Sequence, residues 1–152
     1  TGALIQAAVR LGALAGSPGD DELAALDRYA RRIGLAFQVI DDVLDYDGDA
    51  QEMGKNLGDD LREGKNTLPL IIAMQRASAH DAAVVRSAIE NGSTEQLQAI
   101  LHIVRSTGAL DATREAAHAE ALRAIAALAA LPSNAYTEAM RDLASQLLLR
   151  RT

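Results

Sequence analysis

Apolar residues recur every three or four positions along most of this chain, which is the spacing of helices that bury one face. Glycines, prolines and capping residues interrupt the pattern at intervals. No segment alternates apolar and polar residues over the length of a strand. The sequence therefore predicts an all-α fold, with helices over residues 1–15, 20–46, 68–77, 81–90, 94–106, 111–130 and 134–150.

Two segments qualify this helical pattern. Residues 47–66 are polar and contain four glycines, so they are predicted to form a loop. The predicted helix over 111–130 is rich in alanine, and Glu115, Glu120 and Arg123 are expected on its exposed face.

Composition narrows the possible classes of protein. The chain has 152 residues, 49% of them apolar, which is enough for the core of one domain. Its 21 acidic and 15 basic residues give a net charge of −6, which argues against a nucleic-acid partner. Cysteine is absent, which excludes thiolate metal sites and disulfides. The longest apolar run, 124–131, is too short to span a membrane, so a cytoplasmic protein is expected.

Residues 34–46 carry the most informative pattern. Gln38, Asp41, Asp42 and Asp45 fall within a stripe of about 100° on the predicted helix, and the remaining directions are apolar. Such a helix is surrounded by protein, so the three carboxylates face an internal polar cavity or its mouth. Buried anions need compensating cations, either arginines or a bound metal ion. Oxygen ligands without cysteine favour Mg²⁺.

The acidic residues of this chain allow three other interpretations. The first is a solvated acidic face near the end of a helix. The second is an EF-hand loop beginning at Asp45, which fails because Ala50 replaces the required glycine and Asn56 the required glutamate. The third is a di-iron bundle, which needs two Glu-x-x-His pairs. Only Glu115 and His118 form such a pair, and they are expected on the surface.

Both lysines of the chain, Lys55 and Lys65, lie in the glycine-rich segment, together with Asp59 and Asp60. Lysine is a good point-charge partner for phosphate, and glycine lets the backbone approach a ligand closely. Carboxylates, lysines and Mg²⁺ together suggest a diphosphate ligand. The alternative for this segment alone is an ordinary glycine-rich turn with local ion pairs.

Residues 34–45 resemble the second aspartate-rich motif of the trans-isoprenyl diphosphate synthases, and residues 54–70 resemble its continuation. Bacterial octaprenyl and farnesyl diphosphate synthases are the most similar members. The resemblance implies an isoprenoid synthase-type helical bundle, in which residues 1–152 form the C-terminal part of a single all-α domain. The chain opens at Thr1 without a capping signal or a methionine, so the N-terminal half of that domain is expected to be absent.

The resemblance also implies an activity, the Mg²⁺-assisted condensation of isopentenyl diphosphate with an allylic diphosphate, which releases pyrophosphate. A homodimer is expected, and this chain alone is expected to be inactive. Two alternatives stay open: a terpene-cyclase-like enzyme of the same fold, and a non-catalytic or regulatory subunit of a heteromeric prenyl synthase.

Each candidate residue takes its role from the family motif. Asp41, Asp42 and Asp45 are expected to hold the metal, and Lys55 and Lys65 to bind the substrate diphosphate. Catalytic roles near the reacting atoms are expected of Thr1, Gln38 and Lys55. Asp59 and Asp60 are expected behind the metal ligands, or bound to the metal through water.

Overall fold

The computed structural model describes residues 1–47 and 57–149. Within these ranges every regular element is helical and no strand occurs, which confirms the predicted fold class. The α-helices are α1 (Gly2–Ala15), α2 (Asp20–Asp47), α3 (Asp59–Arg62), α4 (Leu68–Arg76), α5 (Ala79–Asn91), α6 (Leu97–Ser106), α7 (Ala109–Ala127) and α8 (Ala135–Leu148). A 3₁₀ turn (Leu128–Ala130) follows α7.

Local capping explains where several helices begin and end. At the start of α2 the backbone N–H of Gly19 donates to the Glu22 carboxylate at 3.0 Å, and three acidic residues occupy the first turn. Helix α5 begins where the Ser78 hydroxyl accepts the Asp81 N–H at 3.1 Å. It ends at Gly92, which has a φ of +58° and closes the helix in the left-handed conformation.

The structure differs from the predicted elements at several helices, including α5, which begins at Ala79 rather than at 81. Helix α3 lies inside the segment predicted as a loop, because a helix of four residues is too short to show a 3.6-residue period. Helix α6 begins at Leu97 rather than at 94. The helix predicted over 111–130 begins two residues earlier and tightens into the 3₁₀ turn after Ala127.

The described residues divide into two compact units. The first contains Thr1–Ile40 and the described part of Ala116–Arg150. Its core is a cluster of buried side chains to which α2, α7 and α8 contribute. The hydroxyl of Tyr29 donates to the carbonyl oxygen of Met140 at 2.9 Å, so this buried ring is also satisfied at its polar end. The cluster comprises Tyr29, Ile33, Ala124, Leu128 and Ala144.

Glu120 corrects the expectation for the alanine-rich helix. Its side chain is not on an exposed face but buried in the first unit, with 9% of the residue exposed. Arg32 donates to it at 2.8 Å, and Arg123 donates to its other oxygen. Two guanidinium partners make the burial of this carboxylate tolerable. Glu115 and His118 are exposed, as expected.

The second unit contains the described part of Asp41–Glu115. Its core is larger and gathers side chains from the end of α2 and from α3 to α7. Tyr46, Leu61, Leu70, Val85 and Ile100 are among its fully buried members. The end of α2 is therefore enclosed on its apolar sides, as predicted. The prediction is wrong for Leu35, an apolar residue earlier in the same segment, which is 43% exposed.

Within the described ranges, no helix combines the length and the hydropathy needed to cross a membrane.

Candidate functional site

The last turns of α2 present the three aspartates to different environments. Asp41 is exposed, whereas Asp42 and Asp45 are half-buried. Between them, Val43 and Leu44 point into the protein and are 1% and 7% exposed. The carboxylates therefore lie at the edge of the core, partly accessible to solvent. This corresponds to the mouth of a polar cavity, the second of the two positions that the sequence allowed.

Helix α3 brings a fourth carboxylate into this group. The backbone N–H of Asp60 donates to the Asp45 carboxylate at 3.2 Å, and the N–H of Gly58 donates to the Asp45 carbonyl oxygen at the same distance. Asp60 also lies close enough to Asp42 and Asp45 to repel their negative charge. We refer to Asp42, Asp45 and Asp60 as the acidic cluster.

The electrostatics of the acidic cluster show a shortage of positive charge. Burial raises the pKa of Asp42 from the ordinary aspartate value of about 4 to about 6, and the neighbouring Asp60 adds to the rise. The same two causes, in the same order, raise the pKa of Asp45 to about 6. Backbone N–H groups at Leu68 and Asp60 oppose the rise but do not cancel it. A bound cation would relieve this repulsion.

Lys65 is the cation that the described residues place beside the cluster. Its ammonium lies 2.9 Å from the Asp60 carboxylate and 2.6 Å from that of Glu63, and these contacts raise its pKa above the usual range. The structure therefore joins Asp60 and Lys65 to the predicted site. Asp59 is paired with Arg62, and its backbone N–H and its charge also act on Asp45.

Two buried hydroxyl groups next to the cluster were missed by the sequence analysis. Tyr46 is fully buried, Thr67 is 7% exposed, and neither hydroxyl has a hydrogen-bond partner of good geometry among the described residues. Burial raises the pKa of Tyr46 above its usual range, and the adjacent Thr67 hydroxyl offsets part of the rise. The sequence does contain a signal for Tyr46: it lies four residues after Asp42 on the same helix, so the two side chains share one helix face.

Two glycines fix the backbone around α3. Gly58 has a φ of +80°, and a Cβ at this position would lie 2.7 Å from Cδ1 of Leu97. A Cβ at Gly92 would lie 2.8 Å from the carbonyl oxygen of Arg62. Both distances are shorter than side chains tolerate, so these positions require glycine for conformation and for space. The close contacts hold α3 against α5 and α6.

In the first unit, α1 and α2 approach closely through two glycines. A Cβ on Gly34 would lie 3.2 Å from Cα of Gly2, and a Cβ on Gly2 would lie 3.7 Å from Oε1 of Gln38. The approach places the start of α1, where Thr1 is the N-cap residue, beside Gln38. Thr1 and Gln38 are both exposed.

The first unit also contains an apolar groove with a volume of about 460 Å³. Its walls come from α1, α2 and the C-terminal end of the described chain, and most of the side chains are aliphatic. Its lining includes Ile5, Val9, Ile33, Phe37, Leu143 and Leu147.

The acidic cluster fits Mg²⁺ by its donor chemistry, since its ligating groups are all carboxylate oxygens. Among the described residues, no three acidic or histidine side chains converge closely enough to hold a metal ion by themselves. Mg²⁺ in proteins commonly uses one or two carboxylates, with water and substrate phosphates completing the shell. Lys55, predicted to bind the diphosphate, lies outside the described residues.

The described elements are all helical, and half-buried aspartates lie at the end of the long helix α2, close to Lys65. The polyprenyl synthetase family model matches residues 1–105. The chain belongs to this family.

Individual relatives agree with the family assignment. The chain is 47% identical over 130 residues to the all-trans-nonaprenyl-diphosphate synthase of Rhodobacter capsulatus, covering 86% of this chain and 39% of that protein. It is 44% identical over 146 residues to the octaprenyl diphosphate synthase of Escherichia coli, covering 95% and 45%. A polyprenyl synthase from Caulobacter crescentus, solved with calcium and isoprenyl diphosphate, superimposes with a TM-score of 0.88 at 41% identity, covering 98% and 46%. The chain thus spans less than half the length of these relatives.

Proposed function

We propose that this chain supplies one metal- and diphosphate-binding half of a trans-prenyltransferase that condenses isopentenyl diphosphate with an allylic diphosphate. The observation that carries the proposal is the convergence of three half-buried carboxylates, Asp42, Asp45 and Asp60, where the Asp60 N–H lies 3.2 Å from the Asp45 carboxylate. Burial and the charge of Asp60 raise the pKa of Asp42 and Asp45, which agrees with a site that lacks its cation. A protein gains nothing in stability from such a cluster, whereas a site for a divalent cation requires it. Family membership supports the same conclusion.

The proposed reaction breaks the allylic C–O bond, forms a C–C bond to isopentenyl diphosphate and releases one proton and pyrophosphate. Mg²⁺, when bound between carboxylates and diphosphate, would neutralise the charge that grows on the leaving group. Asp41, Asp42 and Asp45 would hold the metal. Asp60 is held by its ion pair with Lys65. It would either support the metal-binding carboxylates from behind or contact the metal through a water molecule.

The two lysines take different parts in this proposal. Lys55 would contact the diphosphate. Lys65 is 53% exposed and is already paired with Asp60 and Glu63, so it would balance the charge of the cluster and reach the diphosphate from there. The contact with Glu63 competes with this role, because a ligand phosphate and the Glu63 carboxylate would attract the same ammonium.

The first unit would serve the hydrocarbon part of the substrates. Thr1 and Gln38 offer hydroxyl and amide oxygens, which stabilise a nearby carbocation through their partial negative charge. The apolar groove of about 460 Å³ offers the right chemistry for an isoprenoid tail. Dry apolar walls also protect a carbocation from water.

Calorimetric titration of pyrophosphate into the chain, with and without Mg²⁺, tests the proposal. We expect binding that depends on Mg²⁺ and is abolished in the double variant Asp41→Asn/Asp42→Asn. Asp142→Asn, which alters an exposed carboxylate on α8, is the matched control and should bind like the wild type. Binding that is independent of Mg²⁺, or unchanged in the double variant, would contradict the proposal.

Turnover is tested in the full-length protein. Incorporation of labelled isopentenyl diphosphate into a longer prenyl product would identify an elongating enzyme, whereas consumption of the allylic substrate alone would point to a cyclase. The homodimer and the cytoplasmic location that the resemblance implies belong to the same proposal. Sedimentation equilibrium and cell fractionation test them.

A further inference from the structure

The hydroxyl groups of Tyr46 and Thr67 are costly for the fold as it stands. Both residues are more than nine-tenths buried, and among the described residues neither hydroxyl makes a hydrogen bond of good geometry. Buried polar groups without partners reduce stability, and natural proteins keep few of them. Two such hydroxyls side by side therefore need an explanation, and a role in a binding site is one.

The side chain of Thr67 does not cap α4, although Thr67 occupies the N-cap position. It is the N-cap residue of α4, where a threonine side chain usually accepts a backbone N–H of the first turn. Its side chain makes no such bond. Instead, the carboxylate of Asp42 on α2 interacts with the N–H of Leu68, the first residue of the helix. The Thr67 hydroxyl is thereby left free to lie beside Tyr46.

Tyr46 approaches the acidic cluster from the core. It belongs to the same buried core cluster as Val43, Leu61 and Leu70. Its hydroxyl lies within electrostatic range of all three cluster carboxylates. Tyr46 and Thr67 therefore place two adjacent buried hydroxyl groups beside the acidic cluster.

We propose that the Tyr46 and Thr67 hydroxyls are positioning groups for Asp42 and Asp45, orienting these carboxylates when the site holds its cation. Groups that hydrogen-bond to ligating carboxylates fix their orientation and tune their affinity for a metal. In this arrangement Thr67 and Tyr46 act through the carboxylates and do not touch the substrate. The inference rests on the function proposed above, because it assigns the pair to the same Mg²⁺ site.

Two conservative variants of this chain separate positioning from structural support. Tyr46→Phe and Thr67→Val remove only the hydroxyls and keep the shape of the side chains. If the hydroxyls serve the site, both variants should bind Mg²⁺ and pyrophosphate about tenfold more weakly in calorimetry. Their urea midpoints should be equal to or higher than that of the wild type, because an unpartnered buried hydroxyl has been removed. Thr67→Ser, which keeps the hydroxyl, should restore the affinity.

The chain contains matched controls for both substitutions. Tyr29 is a buried tyrosine on the same helix whose hydroxyl donates to the Met140 carbonyl oxygen at 2.9 Å. Thr113 is a buried threonine whose hydroxyl donates to the Ala109 carbonyl oxygen at 2.7 Å. Tyr29→Phe and Thr113→Val should lower the urea midpoint and leave the affinity unchanged, which is the opposite pattern.

The outcomes are distinct. Wild-type affinity in both Tyr46→Phe and Thr67→Val would overturn the positioning role. So would a fall in their urea midpoints like that of the controls, since it would show that the hydroxyls support the fold. A wild-type chain that is folded but shows no Mg²⁺-dependent binding would contradict the proposed function itself. That result differs from failure of the positioning role, which is measured by comparing the variants with a wild type that binds.

Discussion

The carboxylates of the acidic cluster should destabilise the native chain whenever no cation is bound. Asp45→Asn tests this directly, because asparagine keeps the oxygen that accepts the Asp60 N–H at 3.2 Å and removes only the charge. We expect the variant to be more stable than the wild type at pH 7.5 in buffer containing EDTA. Removing the charge of this candidate metal ligand would thus strengthen the fold while it weakens the proposed site.

The size of the effect follows from the raised pKa. A rise from about 4 to about 6 corresponds to about 3 kcal/mol for a fully buried group. Asp45 is only half-buried, and solvent screening reduces the expected gain to about 1–2 kcal/mol. The sign is fixed by linkage: the native state binds more protons than the unfolded state, so stability is lost as the pH rises from about 4 through about 6.

Urea unfolding followed by circular dichroism, at pH 5 and at pH 7.5, measures the effect. The wild type should be less stable at the higher pH, and Asp45→Asn should reduce this difference. Asp142→Asn provides the control, since an exposed substitution on α8 should change stability by less than about 0.5 kcal/mol. An Asp45→Asn variant no more stable than the wild type at pH 7.5 would refute the reasoning.

Two further predictions concern the fold. In urea unfolding, Gly92→Ala should lower the stability by about 2–4 kcal/mol, because φ is +58° at this position and the new Cβ would lie 2.8 Å from a carbonyl oxygen. Gly12→Ala is the matched control, since a Cβ there has nothing within 4 Å. It should be neutral or stabilise the chain by up to about 1 kcal/mol. Equal effects at the two glycines would contradict this. For Glu120, burial raises the pKa, but the hydrogen bonds from Arg32 and Arg123 outweigh it and hold the pKa below its usual value. Glu120→Gln should therefore cost about 1–2 kcal/mol at pH 7, and the difference should shrink as the pH falls below about 4; a cost unchanged at pH 3 would argue against the ion-pair explanation.

The sequence was sufficient to predict the helices that carry long periodic patterns. Helix α2 has 28 residues, and the spacing of its apolar residues predicts the stripe that Asp41, Asp42 and Asp45 share. The bounds of α4 followed from local chemistry, since Thr67 precedes the helix and Pro69 lies in its first turn. In each case the signal lies within the element itself.

The features that were missed depend on residues far apart in the chain. Glu120 is predicted at the surface because it shares a polar face of the alanine-rich helix with Glu115 and Arg123, and nothing near it in sequence predicts a partner 88 residues away. Helix α3 has four residues, too few to define a period. The contact of Lys65 with Glu63 depends on the turn at Gly64, where φ is +68°. Distant pairing and short irregular segments leave little trace in local patterns.

The start of α4 has a consequence for how the chain acquires its structure. Helix α5 carries its own caps, Ser78 at one end and Gly92 at the other, so its ends are satisfied by its own neighbours. Helix α4 takes its partner from Asp42 on α2, which is available only after the two segments have met. A peptide of α5 should hence hold more helix in isolation than one of α4. In folding kinetics, α4 should order late, so mutations in it should give low φ-values, the ratio of the change in folding barrier to the change in stability. The interaction of the Leu68 N–H with Asp42 would then form near the end of folding.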